Sequence, residues 1–354
     1  MTKAIRIHEH GGPEVLKWED VDVGSPGPGE VRLKTTAAGL NFIDTYHRIG
    51  MYKVALPAVI GREGAGVVVD IGANVNDIAI GDRIAYASSP MGAYAEERLM
   101  PADRVVKIPN DITDQQAASM MLKGMTAQYL LRRTYPVKPG DVILSQAAAG
   151  GVGLILGQWA KHLGATVIGT VGSDEKIAIA KAHGCDHVIN YRTENFVARV
   201  AEITNGKKCQ VVYDGVGNDT FLQSLDCLAP LGMMVSFGAA SGAVKPFYIG
   251  ELASKGSLFL TRPTLDTYTA KREDVLKMTS ELFDVVASGI VKIEVNQTYA
   301  LCDAAQAHRD LEARRTTGSS VLVPYRWVRK VTPSFICGKT VTCVLFQQNN
   351  EETA

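Results

Sequence analysis

Several things are scarce in this chain of 354 residues, and each scarcity removes a class of function. There is no surplus of charge: 37 acidic against 37 basic side chains leave no net field to collect nucleic acid or an anionic membrane surface. No apolar run has the length needed to cross a bilayer, and the opening MTKAIRIHEHGG lacks the apolar centre of a secretory signal. The cytoplasm is the expected compartment. The six cysteines (Cys185, Cys209, Cys227, Cys302, Cys337 and Cys343) fall at no paired spacing, so free thiols are expected rather than a disulfide framework. No serine stands in a GxSxG turn, and the seven histidines form no set with a nucleophile, which sets hydrolase chemistry aside. No segment repeats and none is of low complexity.

What is present is a glycine turn in the right context. Asp141 to Gly153, DVILSQAAAGGVG, reads as a buried strand that turns on small residues into a helix from Val152 to Leu163. Ala148, Gly150 and Gly153 occupy the three positions of a dinucleotide-binding fingerprint, where small residues let the backbone approach a pyrophosphate at the helix N-terminus. Alternation follows: strand patterns at Ala165 to Val171, His187 to Tyr191, Gln210 to Gly217, Gly232 to Gly238 and Ser257 to Pro263. Helical patterns at Asp174 to His183, Asn195 to Thr204 and Thr220 to Leu228 lie between the earlier ones. That order predicts an α/β, doubly wound parallel sheet with helices on both faces. Ligands of such sheets sit beyond the carboxyl ends of the strands, which here are Ala147 to Gly151, Gly172, Tyr191, Val216 and Gly238.

The length calls for two domains. The first 125 or so residues are short strand-like pieces (VRLKTTAAGL, GAGVVVDIG, DRIAYAS, RVVKIP) between Gly, Pro and Asp turns, an irregular antiparallel β domain. After Pro263 a long amphipathic helix, Lys271 to Ser288, precedes strands at Ile293 to Tyr299 and Ser319 to Pro324 that return to the first domain. The expected division is residues 1–125 with 265–324 as catalytic domain, 126–264 as nucleotide-binding domain, and 325–354 as an atypical extension.

Several motifs in fixed order resemble the zeta-crystallin type of quinone oxidoreductase, in the medium-chain dehydrogenase/reductase superfamily. They are HGGPEVL at His10 to Leu16, AGLNFIDTY at Ala38 to Tyr46, GREGAGVV at Gly61 to Val68, GDRIAY at Gly81 to Tyr86, AAAGGVG and GSSVLVP. The resemblance spans Lys3 to Pro324. It implies a β-rich GroES-like catalytic domain, a Rossmann domain, NADPH as cofactor, and quinones or other activated alkenes as acceptors.

Zinc-dependent members of that superfamily carry a Cys in the loop matching Gly39 to Asp44 and a His in a GHExxG motif. Here Asn41 and Arg62 stand at those positions, and no cysteine lies between residues 90 and 115, where a structural zinc would need four. An amide and a guanidinium cannot complete a tetrahedral zinc shell, so a metal-free site is expected. Glu63, left over from the motif, is expected to be structural, pairing with Arg62 or a loop N–H.

The second strand of the nucleotide unit ends in Gly172 and Ser173 rather than in the acid that an NAD site presents to a ribose hydroxyl. Lys176 and Tyr191 follow, and the resemblance implies that they hold a 2′-phosphate; a solvated helix position is the lesser alternative for Lys176. Asp174 and Glu175 complicate this and are expected to point to solvent at a helix N-terminus. The resemblance further implies cofactor contacts from Phe42, Ile43, Asp44, Thr45, Tyr46, Tyr129, Gly150, Gly151, Val152, Gly153, Val216, Phe237, Gly238 and Ser241, and from Arg314 on the final helix. Asn41, Tyr46 and Tyr52 are the candidate catalytic side chains. By spacing alone Asn41 also fits a turn cap, Tyr52 a surface aromatic and Asp44 the cap of a helix DTYHRIG. Of the histidines, His8 and His10 are placed in the N-terminal strand and turn, His47 after Tyr46, and the others in the nucleotide-binding domain.

NADPH-dependent quinone reduction is the leading expectation and reduction of α,β-unsaturated carbonyls its enzymatic rival. A crystallin-like structural role or binding of AU-rich RNA, as in some relatives, is the non-enzymatic alternative, and neutral charge without a basic aromatic surface motif counts against RNA. The apolar SLFLTRP strand resembles a dimer-forming sheet edge, so a homodimer is expected.

Overall fold

The computed structural model describes residues 1–87 and 89–324. Six parallel strands form one sheet in the spatial order His187–Asn190, Thr166–Val171, Val142–Ser145, Cys209–Asp214, Leu228–Ser236 and Phe259–Thr261. Numbered from Val142–Ser145, the order is 3-2-1-4-5-6, the dinucleotide-binding arrangement, with its reversal point between the first and fourth strands. Helices Gly151–His162, Glu175–Ala182, Phe196–Ile203 and Phe221–Asp226 make the crossovers.

Most boundaries lie within a few residues of the sequence expectation. The Gln210 to Gly217 run stops at Asp214 for a local reason: its buried carboxylate accepts the Val216 and Gly217 N–H groups at 2.8 and 3.0 Å and the Thr220 hydroxyl at 2.7 Å. Those bonds replace ladder pairing and turn the chain into its next helix.

A second, seven-stranded sheet contains Val295–Ala300, Ser319–Val323, Glu30–Leu40, Glu63–Ile71, Arg83–Tyr86 and Val106–Lys107 in that order, with Glu97–Pro101 paired to Glu30–Leu40. Ser319–Val323 runs antiparallel to Glu30–Leu40 and parallel to Val295–Ala300, so the last described strand closes a sheet that the first hundred residues begin. A small sheet of Lys17–Val21, Thr2–Ile7 and Ala58–Val59 lies beside it.

Helix Asp114–Tyr129 joins the two sheets. Thr113 caps it by accepting the Gln116 N–H while the Gln116 amide oxygen accepts the Thr113 N–H, a reciprocal box that satisfies exposed donors at the start. Its Met120, Met121 and Met125 are buried in the same cluster as Ile143, Leu156 and Val321. Burial of each such side chain contributes on the order of 1.5–3 kcal/mol.

Candidate functional site

At the reversal point of the parallel sheet the chain leaves Ser145 and enters helix Gly151–His162 through Gln146 to Gly150. Ala147 takes a left-handed φ of 57°. Gly153 has no room for a side chain: a Cβ there would lie 2.6 Å from the carbonyl oxygens of Ala147 and Ala148. The turn thus leaves helix N–H groups uncovered by side chains, the arrangement that receives an anion.

A cavity of about 530 Å³ opens on this turn. Gly150, Gly151, Val152 and Gly153 line one end, Phe237 and Gly238 one flank, and Asn41, Phe42, Ile43, Tyr46, Tyr52 and Tyr129 the other end. The structure therefore brings the three candidate catalytic side chains together. Tyr46 and Tyr52 meet edge to face with ring centroids 5.4 Å apart, and Tyr129 stacks on Tyr268 at 4.5 Å.

The Tyr46 oxygen accepts the Ala239 N–H at 3.0 Å, which leaves its own proton available to donate. Burial pushes the Tyr46 phenol up to about 12, against the lowering effect of the Ala239 bond. It stays a neutral donor throughout the working pH range.

Asn41 precedes helix Phe42–Arg48, and its amide nitrogen donates to Glu63 Oε2 at 2.7 Å. Asp44 is neither the cap itself nor a wall of the cavity. Its Oδ2 accepts the Asn41 N–H and the Tyr94 hydroxyl, each at 2.9 Å, and burial raises the carboxyl to about 7. Thr45 also turns inward, donating to the Phe42 carbonyl at 2.7 Å. A helix that begins at Phe42 puts Asp44 and Thr45 on its inner face and Phe42, Ile43 and Tyr46 toward the cavity.

Glu63 is fully buried and does not pair with Arg62. Its oxygens accept the Leu122 N–H at 2.8 Å, the Lys123 ammonium at 2.9 Å and the Asn41 amide. Arg62 instead pairs with Asp266 and donates to the Ser89 hydroxyl at 3.2 Å. Arg62 immediately precedes strand Glu63–Ile71, and the two adjacent motif positions serve different neighbours. Both Arg62 and Lys123 line the cavity, as do His47, Arg262 and Ser320, none of which was expected there. Lys123 could have been noticed as a charge interrupting the apolar stretch Met120 to Met125.

A second cavity of about 240 Å³ is lined by Tyr191, Val216 and Arg314. An Arg314 guanidinium nitrogen donates to the Tyr191 hydroxyl at 3.1 Å. Arg314 lies just past helix Ala304–Glu312 rather than on it, at a left-handed φ of 59°. Lys176 lines neither cavity; its ammonium donates to the Arg314 and Thr316 carbonyls at 3.1 and 3.2 Å. Burial, then Arg314 and Arg192, lower its pKa, so cations crowd this end of the sheet. A Cβ on Gly172 would meet the Tyr191 hydroxyl at 2.7 Å. Ser173 supplies a backbone acceptor for the Lys176 N–H, and Ser241 bridges Asp219 N–H and the Val216 carbonyl; neither lines either of these two cavities. Asp174 does not point freely to solvent, since its carboxylate accepts the Asn190 amide at 2.7 Å.

His308 departs from its expected place in the nucleotide-binding domain. It is buried in helix Ala304–Glu312, where Nδ1 accepts from Arg48 at 2.9 Å and Nε2 lies 3.2 Å from the Tyr94 hydroxyl. An Arg donor on Nδ1 requires the proton on Nε2, so a chain of donors runs from Arg48 through His308 and Tyr94 to Asp44. Among the described residues no group of three or more His, Cys, Asp or Glu side chains could hold a metal ion. The atypical extension expected at residues 325–354 lies outside the described residues.

Residues 27–110 match the sequence profile of the alcohol dehydrogenase GroES-like domain and residues 151–281 that of the zinc-binding dehydrogenases. The chain is 52% identical to a quinone oxidoreductase of Pseudomonas aeruginosa, across 92% of this chain and 100% of the relative. It belongs to the quinone oxidoreductase family. A 2-haloacrylate reductase from Burkholderia is 49% identical over 92% of this chain and 99% of its own. The crystal structure of Escherichia coli quinone oxidoreductase complexed with NADPH superposes with a TM-score of 0.90, at 49% identity over 91% of this chain and 100% of the other. The family's two-part architecture, a GroES-like part beside a dinucleotide-binding sheet, is the one described above.

Proposed function

We propose that this protein is an NADPH-dependent quinone reductase that works without a metal. The observation that carries the reading is the continuity of one cavity, from the helix N-terminus at Gly150 to Gly153 to the aromatic end at Asn41, Tyr46, Tyr52 and Tyr129. A bound dinucleotide with its pyrophosphate at the first end would have its nicotinamide near the second. NADPH, when bound, supplies a hydride equivalent to the acceptor.

The protein's own groups bind and orient. Lys176, Tyr191 and Arg314 form the cationic, hydroxyl-bearing cluster suited to a 2′-phosphate. Tyr46 presents a neutral donor to a developing oxyanion, and the apolar walls exclude water. Asn41 is held by Glu63, so its amide is fixed before any ligand arrives. Two of the expected cofactor contacts fit the geometry poorly: the Asp44 and Thr45 side chains are committed beneath the loop and act by supporting it.

The relative named 2-haloacrylate reductase supports activated alkenes as a second class of acceptor. The same reading divides the chain into a catalytic domain of residues 1–125 with 265–324 and a nucleotide-binding domain of residues 126–264. It also places a second copy against the edge strand Phe259–Thr261, where Phe259 and Leu260 are 56% and 38% exposed. Light scattering before and after Leu260→Lys tests the dimer.

A panel of quinones and enones, followed by NADPH oxidation, tests the activity. Quinones should be reduced with NADPH preferred over NADH. Quinone turnover that is absent, or equal with both cofactors, refutes the reading.

A further inference from the structure

Charge on the cavity wall is unevenly compensated at the acceptor end. Three cationic side chains line it: Arg62, Lys123 and Arg262. Lys123 is paired with buried Glu63 and Arg62 with Asp266. Arg262 donates only to neutral oxygens in the described hydrogen bonds, the Tyr52 hydroxyl at 3.1 Å and the Pro263 carbonyl at 3.3 Å. The His47 imidazole on the same wall is held neutral by burial and by neighbouring Arg62, which outweigh Asp266 and lower its pKa to about 4, and the Asp266 carboxylate that also lines the cavity is the one already paired with Arg62. One positive charge is therefore left over.

That charge is also aimed. Arg262 bonds the hydroxyl of Tyr52, whose ring meets Tyr46 edge to face, and all three line the cavity together with Tyr129, so its guanidinium borders the space beside those rings. A planar acceptor lying among the rings would have an edge within reach of a planar donor fork, which matches a carboxylate or sulfonate in two-point geometry. Arg262 is exposed at the cavity mouth, so an anion docked there keeps part of its hydration and gives up less than one buried in the interior.

We infer that the acceptor end of this cavity selects quinones or activated alkenes bearing an anionic substituent, with Arg262 as the cation that receives it. This rests on the reductase reading above and adds to it the charge class of the substrate and the residue that sets it. Hydride still goes to the ring or alkene carbon and the proton to oxygen or the adjacent carbon from solvent; the anionic group is not transformed. It anchors the acceptor and limits its orientations.

The test compares a carboxymethyl-benzoquinone with its methyl ester, in the wild type, Arg262→Gln and Arg262→Lys. In the wild type the acid should exceed the ester in kcat/KM, and this preference should shrink as salt rises. Arg262→Gln should lower the acid-to-ester ratio about tenfold, chiefly through KM, and Arg262→Lys should retain part of it. Binding of acid and ester to the NADP⁺-loaded enzyme, read by fluorescence quenching, should show the same ordering. Turnover of both quinones at a ratio that Arg262→Gln leaves unchanged overturns the anion assignment alone. Weaker NADPH binding with an unchanged ratio makes Arg262 a cofactor residue and overturns it too. If neither quinone is reduced, the reductase reading fails, and equal binding of acid and ester would then remove the anion assignment as well.

Discussion

Replacing Lys123 with Met removes one half of the buried pair beneath the cavity while keeping the length and most of the apolar stem. Glu63 is fully buried and the Lys123 side chain is 7% exposed, with nitrogen and oxygen 2.9 Å apart. Two unit charges at that separation attract by about 6 kcal/mol at an effective dielectric of about 20. Desolvation of the lysine, recovered on its removal, offsets part of this. What remains is a carboxylate held only by the Asn41 amide and the Leu122 N–H. Breaking a buried pair on one side typically costs about 3–5 kcal/mol, and that is the expected loss. The double variant Lys123→Met with Glu63→Gln removes both charges and should recover more than half of it. Urea unfolding followed by tryptophan fluorescence measures both, and comparison requires an unchanged slope. A single variant that loses less than about 1 kcal/mol, or a double variant no better than the single, would refute the reasoning.

Four further outcomes are expected. Lys176→Ala should weaken NADPH by about 1.5–3 kcal/mol and leave NADH nearly unaffected, as read by fluorescence titration; equal loss of both removes Lys176 from a 2′-phosphate site. Tyr46→Phe should slow weak enones more than quinones, because only the former develop an oxyanion that needs a strong donor, and steady-state rates on both classes decide it. His308 has a folded pKa of about 3 against 6.5 in the unfolded chain, so its stabilisation is complete above pH 6.5 and is lost as pH falls toward 3. Asp44, raised from 3.8 to about 7, works in the opposite sense, losing its contribution as pH rises through that window. His308→Gln removes the first dependence only and should flatten the loss of stability between pH 6.5 and 4, measured by denaturant midpoints. Gly153→Ala should reduce both stability and cofactor affinity, since its Cβ would strike backbone oxygens that cannot move aside; a thermal melt and a titration equal to wild type would count against the close approach at this turn.

The parallel sheet was legible because its strands are buried on both faces, so each appears as a compact apolar run between turns, and the glycine turn fixes where the count begins. The β-rich half was legible only as texture. Which strand neighbours which is decided by pairings such as Ser320 with Leu40, hundreds of positions apart, and no local pattern encodes them. Site residues within one segment, such as Asn41 to Tyr46, could be read together, whereas the partner of Glu63 could not. Lys123 lies 60 positions away on a helix, while adjacent Arg62 faces across the cavity to Asp266. The cap was assigned to Asp44 for a related reason: the helix starts two residues earlier, so Asn41 takes the cap position and Asp44 becomes the third helical residue that accepts the Asn41 N–H, and helix starts are where sequence patterns are least sharp.

The strand Ser319–Val323 lies between Val295–Ala300 and Glu30–Leu40, and Ser320 on it reaches the cavity wall. During synthesis, therefore, the half of the cavity built from Asn41 to Tyr52 waits for a piece that the ribosome delivers almost three hundred residues later. The parallel sheet, whose strands all fall between Val142 and Thr261, is complete in the meantime and can assemble as a unit. Long-range closure of this kind slows folding, and the cavity wall is complete only once that strand has paired with Glu30–Leu40.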